Sequence, residues 1–260
     1  MPLTDRLADL PSEGYVFHTS WPLSSADIDQ HERLSVDGVA RYLQEAGAQH
    51  LVDAGAFESH KFWIVRRTVM DVIRPIAWPD TVQLWRWCAG ISPRWCSMRV
   101  RVTGDGVDGE PGGLIETEGF WINMNMETKS PGRMEDRFFE MLATTTDERR
   151  LRWKAWLAQQ PSEAADDSRV FALRHADTDR LDHVNNSIYL QALREVFPEA
   201  GDLVENPYRL VIEYDKPITY GETVHIATEA FHHDTGDGML VWLTVDGDVR
   251  ARASITPLAV

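Results

Sequence analysis

One short stretch of the chain brings acidic, imidazole and amide side chains together directly in front of a predicted helix. Residues 177–196 read DTDRLDHVNNSIYLQALREV. A carboxylate such as Asp179 can act as a general base or a nucleophile, and the imidazole of His183 titrates near neutral pH. Backbone N–H groups at the start of a helix, here near Asn185, can stabilise a developing negative charge. The stretch therefore contains groups suited to hydrolytic chemistry.

The same pattern of acids occurs once more, far upstream. Residues 27–46 read DIDQHERLSVDGVARYLQEA, and only the downstream copy contains His-Val-Asn-Asn. An internal repeat of this kind indicates two similar structural units in one chain. A shift of 150 positions (177 − 27) aligns three acids of one copy with three of the other, namely Asp177, Asp179 and Glu195 with Asp27, Asp29 and Glu45.

The elements around each copy also repeat. Ser35 is a plausible N-cap for a helix of about 18 residues that stops at Gly55, and a shorter helix over 185–197 stops at Pro198. Each half therefore reads as a strand, a helix and four strands, which favours one helix wrapped by an antiparallel sheet. Runs rich in Val, Ile, Trp and Thr predict the strands of the first half at 15–22, 62–76, 81–90, 94–104 and 114–125, and five more follow from 169.

A connector of different composition lies between the two halves. Residues 126–168 have few β-branched residues and two pieces with helical periodicity, which predicts a partly helical segment that ends in a linker. We interpret its DERRLRWKAW stretch as the solvated face of an amphipathic helix, with a basic docking patch as the alternative. The cations of that stretch are Arg149, Arg150, Arg152 and Lys154.

Several motifs resemble those of one enzyme family. The pattern Asp-x-Asp-x-x-x-His-Val-Asn-Asn-x-x-Tyr over 177–189 resembles the signature of hotdog-fold thioesterases. The two-copy layout is similar to the fatty acyl-ACP thioesterases, and the resemblance covers most of residues 15–255. Further matching features are the stretch 63–90 with its Pro75-x-x-Trp78-x-Asp80 turn and Trp87-Cys88 pair, and the stretch EYDKPITYGETV at 213–224.

The resemblance implies a fold and an activity. The expected fold is an α+β double hotdog, with an acyl-binding hotdog domain over 1–125, the connector over 126–168 and a catalytic hotdog domain over 169–260. The expected reaction is hydrolysis of a fatty acyl thioester to a free fatty acid and a thiol. The carrier would be acyl carrier protein or CoA, no cofactor is expected, and either a monomer or a homodimer would suit a chain that already contains two hotdogs.

The resemblance also assigns roles to the residues of the second copy. Asp179 is expected to be the base or nucleophile, because it matches the second aspartate of the family's Asp-x-Asp pair. His183 would orient Asp179 or protonate the leaving thiolate, and Asn186 would position the carbonyl or the water. Asn185 is expected mainly to cap the helix, with a substrate contact as the alternative, and Asp177 is expected to shape the loop.

Other residues enter as weaker candidates. The first copy has Arg33 where the second has His183, so it is expected to be degenerate, with a second site at Asp29 and His31 as the less favoured alternative. Three residues of the 62–76 strand are candidates for substrate binding. Trp63 is a candidate for the lining of an acyl pocket, with packing in the core as the alternative interpretation. Arg66 and Arg67 are alternative candidates for contact with an acidic carrier.

Three departures from the plant members of the family keep other functions open. Leu181 stands where those members have an asparagine, and Pro217 and Ile218 stand where they have a glutamate and a cysteine. A Cys-His-Asn triad is therefore absent from the chain. A non-catalytic acyl-binding or regulatory protein remains one alternative, and an acyl-thioester dehydratase or hydratase is another.

Composition sets the outer limits. The formal net charge of −15 argues against non-specific binding to nucleic acid or to an anionic membrane. The sequence has no apolar run long enough for a membrane span and no signal-peptide pattern, so we expect a cytoplasmic protein. Cys88 and Cys96 would both stay reduced there, and no Cys/His cluster has the spacing of a zinc site.

Overall fold

The computed structural model describes residues 4–106, 111–163 and 165–258. In these residues, eleven strands form one sheet in the order β1-β3-β4-β5-β2-β8-β11-β10-β9-β7, with β6 paired to β5. The strands are β1 Phe17–Pro22, β2 Trp63–Arg74, β3 Thr81–Ser92, β4 Trp95–Gly104, β5 Leu114–Asn125, β6 Ser130–Pro131, β7 Asp166–Phe171, β8 Tyr208–Tyr214, β9 Val224–His233, β10 Gly236–Val245 and β11 Asp248–Pro257. The helices are α1 Val36–Asp53, α2 Asp136–Leu142, α3 Asn186–Arg194, α4 Phe197–Ala200 and α5 Asp202–Glu205.

The sheet consists of two units with the same strand path. Read outward from the centre, the first half runs β2-β5-β4-β3-β1 and the second runs β8-β11-β10-β9-β7. Each half also follows the predicted chain order of strand, long helix and four strands, so the α+β class and the internal repeat are confirmed. The halves join where β2 pairs antiparallel with β8, with Val69 opposite Val211.

Helix α1 follows its predicted limits. Its N-cap is Ser35, whose side chain accepts a hydrogen bond from the Gly38 amide. The helix ends at Asp53, and Gly55 then takes a positive φ of 65°, which glycine adopts without steric cost. Its apolar face lies buried against the first-half sheet and α3.

Helix α3 is shorter than predicted. It begins at Asn186 behind the N-cap Asn185 and ends at Arg194 rather than at 197. The cause is Pro198, whose ring clashes with the carbonyl four residues earlier and whose nitrogen cannot donate to it. That carbonyl belongs to Arg194, so the helix stops there and Pro198 instead occupies the first turn of α4.

The connector is only partly helical, as expected, but its basic stretch is not a helix. Helix α2 and a single 3₁₀ turn over Ala143–Thr145 form the helical part. The prediction of an amphipathic helix over the basic stretch is wrong, because Leu151 bonds with the β3–β4 hairpin instead. Its amide donates to Ile91 O, and its carbonyl accepts from Ser92 and Trp95 side chains. The proposed domain limits at 125 and 168 stay a prediction.

The main core lies between the two long helices and the sheet. Buried apolar residues of α1, such as Val39 and Ala46, belong to one cluster with Leu190 of α3 and with Met70 and Leu210 of the central strands. Because α1 and α3 share this cluster, the two halves have a continuous interior. Among the described helices, none combines the length and the apolar composition that a membrane span requires.

Candidate active site

A cavity of about 520 Å³ lies between α1, the first-half sheet and the loop before α3. Its volume is in the range of small-molecule binding sites. Residues 177–186, here termed the acidic loop, form its second-half wall. The lining residues from the first half are Leu43, Gln44, Gly47, Ala48, Leu51, Phe57, Lys61, Phe62, Trp63, Arg86, Cys96, Met98, Trp121, Phe138 and Leu142, and those from the acidic loop are Asp179, Arg180, Leu181, Asn185 and Asn186.

Asp179 is half-buried and lines this cavity. Its Oδ1 accepts hydrogen bonds from the amides of Leu181 at 2.8 Å and His183 at 3.4 Å, and its own amide donates to His183 O. One carboxylate oxygen therefore shapes the loop as an Asx turn does. Within the described residues no group donates to the other oxygen, Oδ2, which leaves it available to a ligand.

The matching residue of the first copy has the same backbone frame but a different electrostatic state. Asp29 Oδ1 accepts from the amides of His31 and Arg33, and Glu32 and Asp182 share a φ of 58°. Asp29 Oδ2, however, accepts from Arg33 Nε at 2.9 Å. Burial alone would raise the pKa of Asp29, but the bonds from Arg33 and His31 outweigh it and lower the pKa. The first-copy carboxylate is thus already ion-paired.

Among the described residues, His183 contacts the rest of the acidic loop through its backbone and not through its imidazole. It contacts Asp179 through its backbone, and its backbone also bridges to Thr219 of the next loop. Its imidazole has no hydrogen-bond partner among the described residues and does not line the cavity. The geometry gives no direct support for the expected orienting or proton-donating role, which stays a prediction.

Asn185 has a structural role, whereas Asn186 lines the cavity. Asn185 caps α3 by accepting from the Ser187 amide, as predicted, and exchanges two hydrogen bonds with Gln44 of α1 at 3.0 and 3.2 Å. Asn186 lines the cavity as the first residue of α3. In the part of the chain that the structure describes, no protein group accepts a hydrogen bond from the backbone N–H of Asn186. Asp177 is buried, and its carbonyl accepts from the Asn185 amide, which fits the expected loop role.

The three candidates on β2 do not lie together. Trp63 lines the cavity and donates from Nε1 to His60 O. Arg67 is buried in an ion pair with Glu213 and lies 3.8 Å from the centre of the Trp156 ring. Arg66 donates to Asp215 O. Neither arginine lines the cavity, so the structure gives no geometric support for their predicted role in substrate binding.

Sequence reasoning missed most of the first-half lining. Leu43, Gly47 and Leu51 lie four residues apart on one face of α1, and this helical spacing is the signal that identifies them in the sequence. Arg180 was also missed; its Nη2 donates to Lys61 O at 2.6 Å, and this bond fastens the acidic loop to the first half. Nothing in the sequence around Arg86 indicates that it lines a cavity.

The two cysteines and two of the three residues that depart from the plant pattern lie in the core or in the cavity wall. Cys88 and Cys96 are free thiols, and burial raises the pKa of Cys88 to about 12 and that of Cys96 well above its usual value. Neither is therefore a thiolate nucleophile. Leu181 lines the cavity, whereas Ile218 is buried and accepts from the Val184 amide. In the described residues, no three His, Cys, Asp or Glu side chains come together as a metal site requires.

Two repeated units, each a helix packed in an antiparallel sheet, with a cavity against an acidic loop, define a double hotdog protein. Solved structures support this fold. An acyl-ACP thioesterase from Bacteroides thetaiotaomicron superposes with a TM-score of 0.73 at 14% identity, over 93% of this chain and 97% of that one. The 12:0-ACP thioesterase from Umbellularia californica gives a TM-score of 0.68 at 20% identity, over 93% of each chain.

The chain belongs to the acyl-ACP thioesterase family. The model of the family's N-terminal domain matches residues 14–142, and the model of its C-terminal domain matches residues 160–256. An uncharacterized protein of Mycobacterium tuberculosis is 44% identical over 97% of this chain and 96% of its own length. The chloroplastic oleoyl-acyl carrier protein thioesterase 1 of Arabidopsis thaliana is 25% identical over 81% of this chain and 62% of its own length.

Proposed function

We propose that the protein hydrolyses fatty acyl thioesters carried by acyl carrier protein, with Asp179 as the general base. The observation that carries this proposal is the uncommitted Oδ2 of Asp179 on the wall of a largely apolar cavity. Membership of the acyl-ACP thioesterase family supports the reaction class. The first half would hold the acyl chain, and the second half would supply the chemistry.

The reaction follows from the arrangement of the acidic loop. The acyl chain enters the cavity and brings the thioester carbonyl beside the start of α3. Asp179 takes a proton from a water molecule as that water attacks the carbonyl carbon. The resulting oxyanion accepts a hydrogen bond from the backbone N–H of Asn186, and the dipole of α3 adds a favourable electrostatic potential. The carbon–sulfur bond then breaks, and the thiolate recovers the proton from Asp179, giving a fatty acid and a free thiol.

The two copies of the loop provide the test. Asp179→Asn keeps an acceptor for the Leu181 amide but removes the basic charge, so thiol release should fall about a hundredfold to ten-thousandfold. Asp29→Asn changes the matching residue, which is already paired with Arg33, and should change the rate far less. Both proteins are assayed with acyl-ACP and acyl-CoA substrates and a thiol reagent. Near-full turnover of Asp179→Asn at unchanged stability would refute the assignment.

A non-catalytic acyl-thioester binder is the second candidate. The observation that favours it is Ile218, a buried aliphatic side chain where plant members of the family have a cysteine. A binder would retain acyl-CoA in calorimetry yet release no thiol from acyl-ACP or acyl-CoA of any chain length. Turnover that depends on Asp179 would exclude this candidate.

A further inference from the structure

Of the three cationic residues that line the cavity, Lys61 and Arg180 lie beside or in the acidic loop, whereas Arg86 lies among apolar neighbours. Arg86 lies on β3 and lines the cavity together with Met98, Phe138 and Leu142. An acyl chain needs no cation for its methylene groups, and a desolvated charge beside hydrocarbon is unfavourable. Burial lowers the pKa of Arg86, as expected for a guanidinium withdrawn from water. The guanidinium of Arg86 therefore needs a hydrogen-bond acceptor or an opposite charge nearby.

Among the described residues, the side chain that Arg86 contacts is an imidazole and not a carboxylate. Its Nη1 lies 2.5 Å from His50 Nδ1. Burial, and then Arg86 itself, lower the pKa of His50 to about 2, so the imidazole is neutral and accepts the bond without balancing the charge. In the described ranges no carboxylate lies within ion-pair distance of Arg86.

Arg86 is partly exposed, whereas arginines of the same sheet that are fully buried have a carboxylate each. Three examples are the pairs Arg67–Glu213 at 3.2 Å, Arg99–Glu116 at 3.0 Å and Arg209–Asp71 at 2.6 Å. A charge withdrawn from water without a partner is unfavourable, and for this reason buried charges in proteins are usually paired. Arg86 departs from this pattern in the wall of a cavity that can hold a ligand, and a ligand there can supply the missing acceptor.

Arg86 and the acidic loop lie on different walls of the cavity. The sheet order places β4 and β5 between β3 and β2, and three strand spacings of about 4.8 Å separate β3 from β2 by roughly 14 Å. Arg180 of the acidic loop bonds to Lys61, just before β2. Behind Arg86, His50 packs against the rings of Tyr15 and Phe17 at 5.1 and 5.3 Å. Strands β4 and β5 thus lie between the strand that carries Arg86 and the strand beside the acidic loop.

We propose that the cavity selects acyl chains that carry an oxygen function, a carboxylate or a hydroxyl, at the end remote from the thioester, and that Arg86 binds this group. The guanidinium fork matches a carboxylate in two-point geometry and also donates to a hydroxyl. The proposal rests on the proposed function, because it names the substrate class of that same site. Arg86 is a specificity residue in this scheme and takes no part in the hydrolytic step.

The test compares three thioesters of equal length: dodecanoyl-CoA and its ω-hydroxy and ω-carboxy counterparts. The wild-type kcat/KM should favour one or both oxygenated chains over dodecanoyl-CoA by about tenfold or more, the order expected for a charge-assisted hydrogen bond. Arg86→Met should abolish or reverse this preference. Arg101→Met is the matched control, because Arg101 lies on the neighbouring strand β4, pairs with Glu116 and does not line the cavity.

The outcomes separate this proposal from the proposed function. A wild type that favours dodecanoyl-CoA, or an Arg86→Met protein with an unchanged preference, overturns the role of Arg86 while leaving hydrolysis intact. If none of the three acyl chains is hydrolysed from CoA or from acyl carrier protein, the proposed function fails, and calorimetric binding of the three CoA thioesters to the wild type tests Arg86 alone. Tighter binding of the oxygenated chains, lost in Arg86→Met of native thermal stability, supports the proposal; equal binding of all three refutes it.

Discussion

Asp71 on β2 and Arg209 on β8 form a two-point ion pair across the junction of the two halves. Arg209 Nε donates to Asp71 Oδ1 at 2.6 Å and Nη2 donates to Oδ2 at 2.7 Å, and both side chains are buried. Arg67 and Glu213 form the mirrored pair four residues away along the same two strands. Each strand thus contributes one arginine and one acid, as a near-twofold relation between duplicated units requires.

This junction predicts a stability effect that depends on how the pair is changed. Asp71→Ala leaves a buried guanidinium without its carboxylate and should cost about 3–5 kcal/mol in the free energy of unfolding. The double variant Asp71→Leu/Arg209→Met removes both charges and should cost much less. Urea denaturation of both proteins, with the slope checked for two-state behaviour, measures the difference.

The control for that experiment is an exposed pair in the second half. Lys216 Nζ lies 2.9 Å from Asp248 Oδ2 at the surface, where solvent screens the interaction. Asp248→Ala should leave the unfolding midpoint nearly unchanged. If Asp71→Ala lowered the free energy of unfolding no more than the double variant does, the unpaired Arg209 would not be as unfavourable as predicted.

The fold was predictable because its signals are local and occur twice. Capping by Ser35 and Asn185, strand composition and the repeated acids each depend on residues close in sequence, and together they specify two helix-and-sheet units. The end of α3 was misplaced by three residues because the effect of Pro198 reaches back one full turn, to Arg194. Local patterns thus gave the elements correctly and their limits less well.

The rest of the site depends on contacts between residues far apart in the sequence. The basic stretch of the connector is extended because Leu151 bonds to the β3–β4 hairpin, and no local pattern shows this. Arg67 looked like a substrate contact because its partner, Glu213, lies in the other half of the chain. The environment of Arg86 likewise becomes visible only when α1 and three strands are assembled. Such residues require the tertiary structure.

A second prediction concerns the position that distinguishes the two loops. His183→Arg recreates the residue of the first copy, where Arg33 Nε bonds to Asp29 Oδ2. The new guanidinium should occupy Asp179 Oδ2 and reduce kcat at least tenfold by weakening the base. His183→Ala should reduce kcat less, because the imidazole does not line the cavity. Steady-state kinetics of the two variants provides the comparison, and equal losses would point to a direct role for the imidazole.

A third prediction concerns docking of an acidic carrier protein. Arg149 is paired with Glu140, whereas Arg150 and Arg152 are exposed and have no acidic partner among the described residues. Arg150→Glu/Arg152→Glu should therefore raise KM for acyl-ACP severalfold, flatten its salt dependence and leave acyl-CoA nearly unaffected. Arg133→Glu, a charge reversal at an exposed arginine beside α2, is the control. Equal changes for both carriers would argue against a docking role for the connector.

A fourth prediction uses two glycines of α1 that differ in their surroundings. A Cβ on Gly47 would meet only Arg86 Nη2, at 3.9 Å, which is ordinary contact. Gly47→Ala should therefore stabilise the protein by about 0.5–1 kcal/mol, since alanine loses less backbone entropy in a helix. A Cβ on Gly38 would lie 2.6 Å from Asp27 O, a backbone atom that cannot easily move. Gly38→Ala should destabilise by about 1–3 kcal/mol, and thermal unfolding should rank the two variants in opposite directions from the wild type.

Because Gly47 also lines the cavity, a larger side chain there tests where the acyl chain lies. Gly47→Leu projects a branched side chain toward Arg86 and should reduce the space in the cavity beside that guanidinium. The expected result is a larger loss of kcat/KM for long acyl chains than for short ones, with the rate on short chains nearly retained. A uniform loss at every chain length would place the acyl chain elsewhere, whereas a length-dependent loss would show that the chain runs along α1 past Gly47 to Arg86.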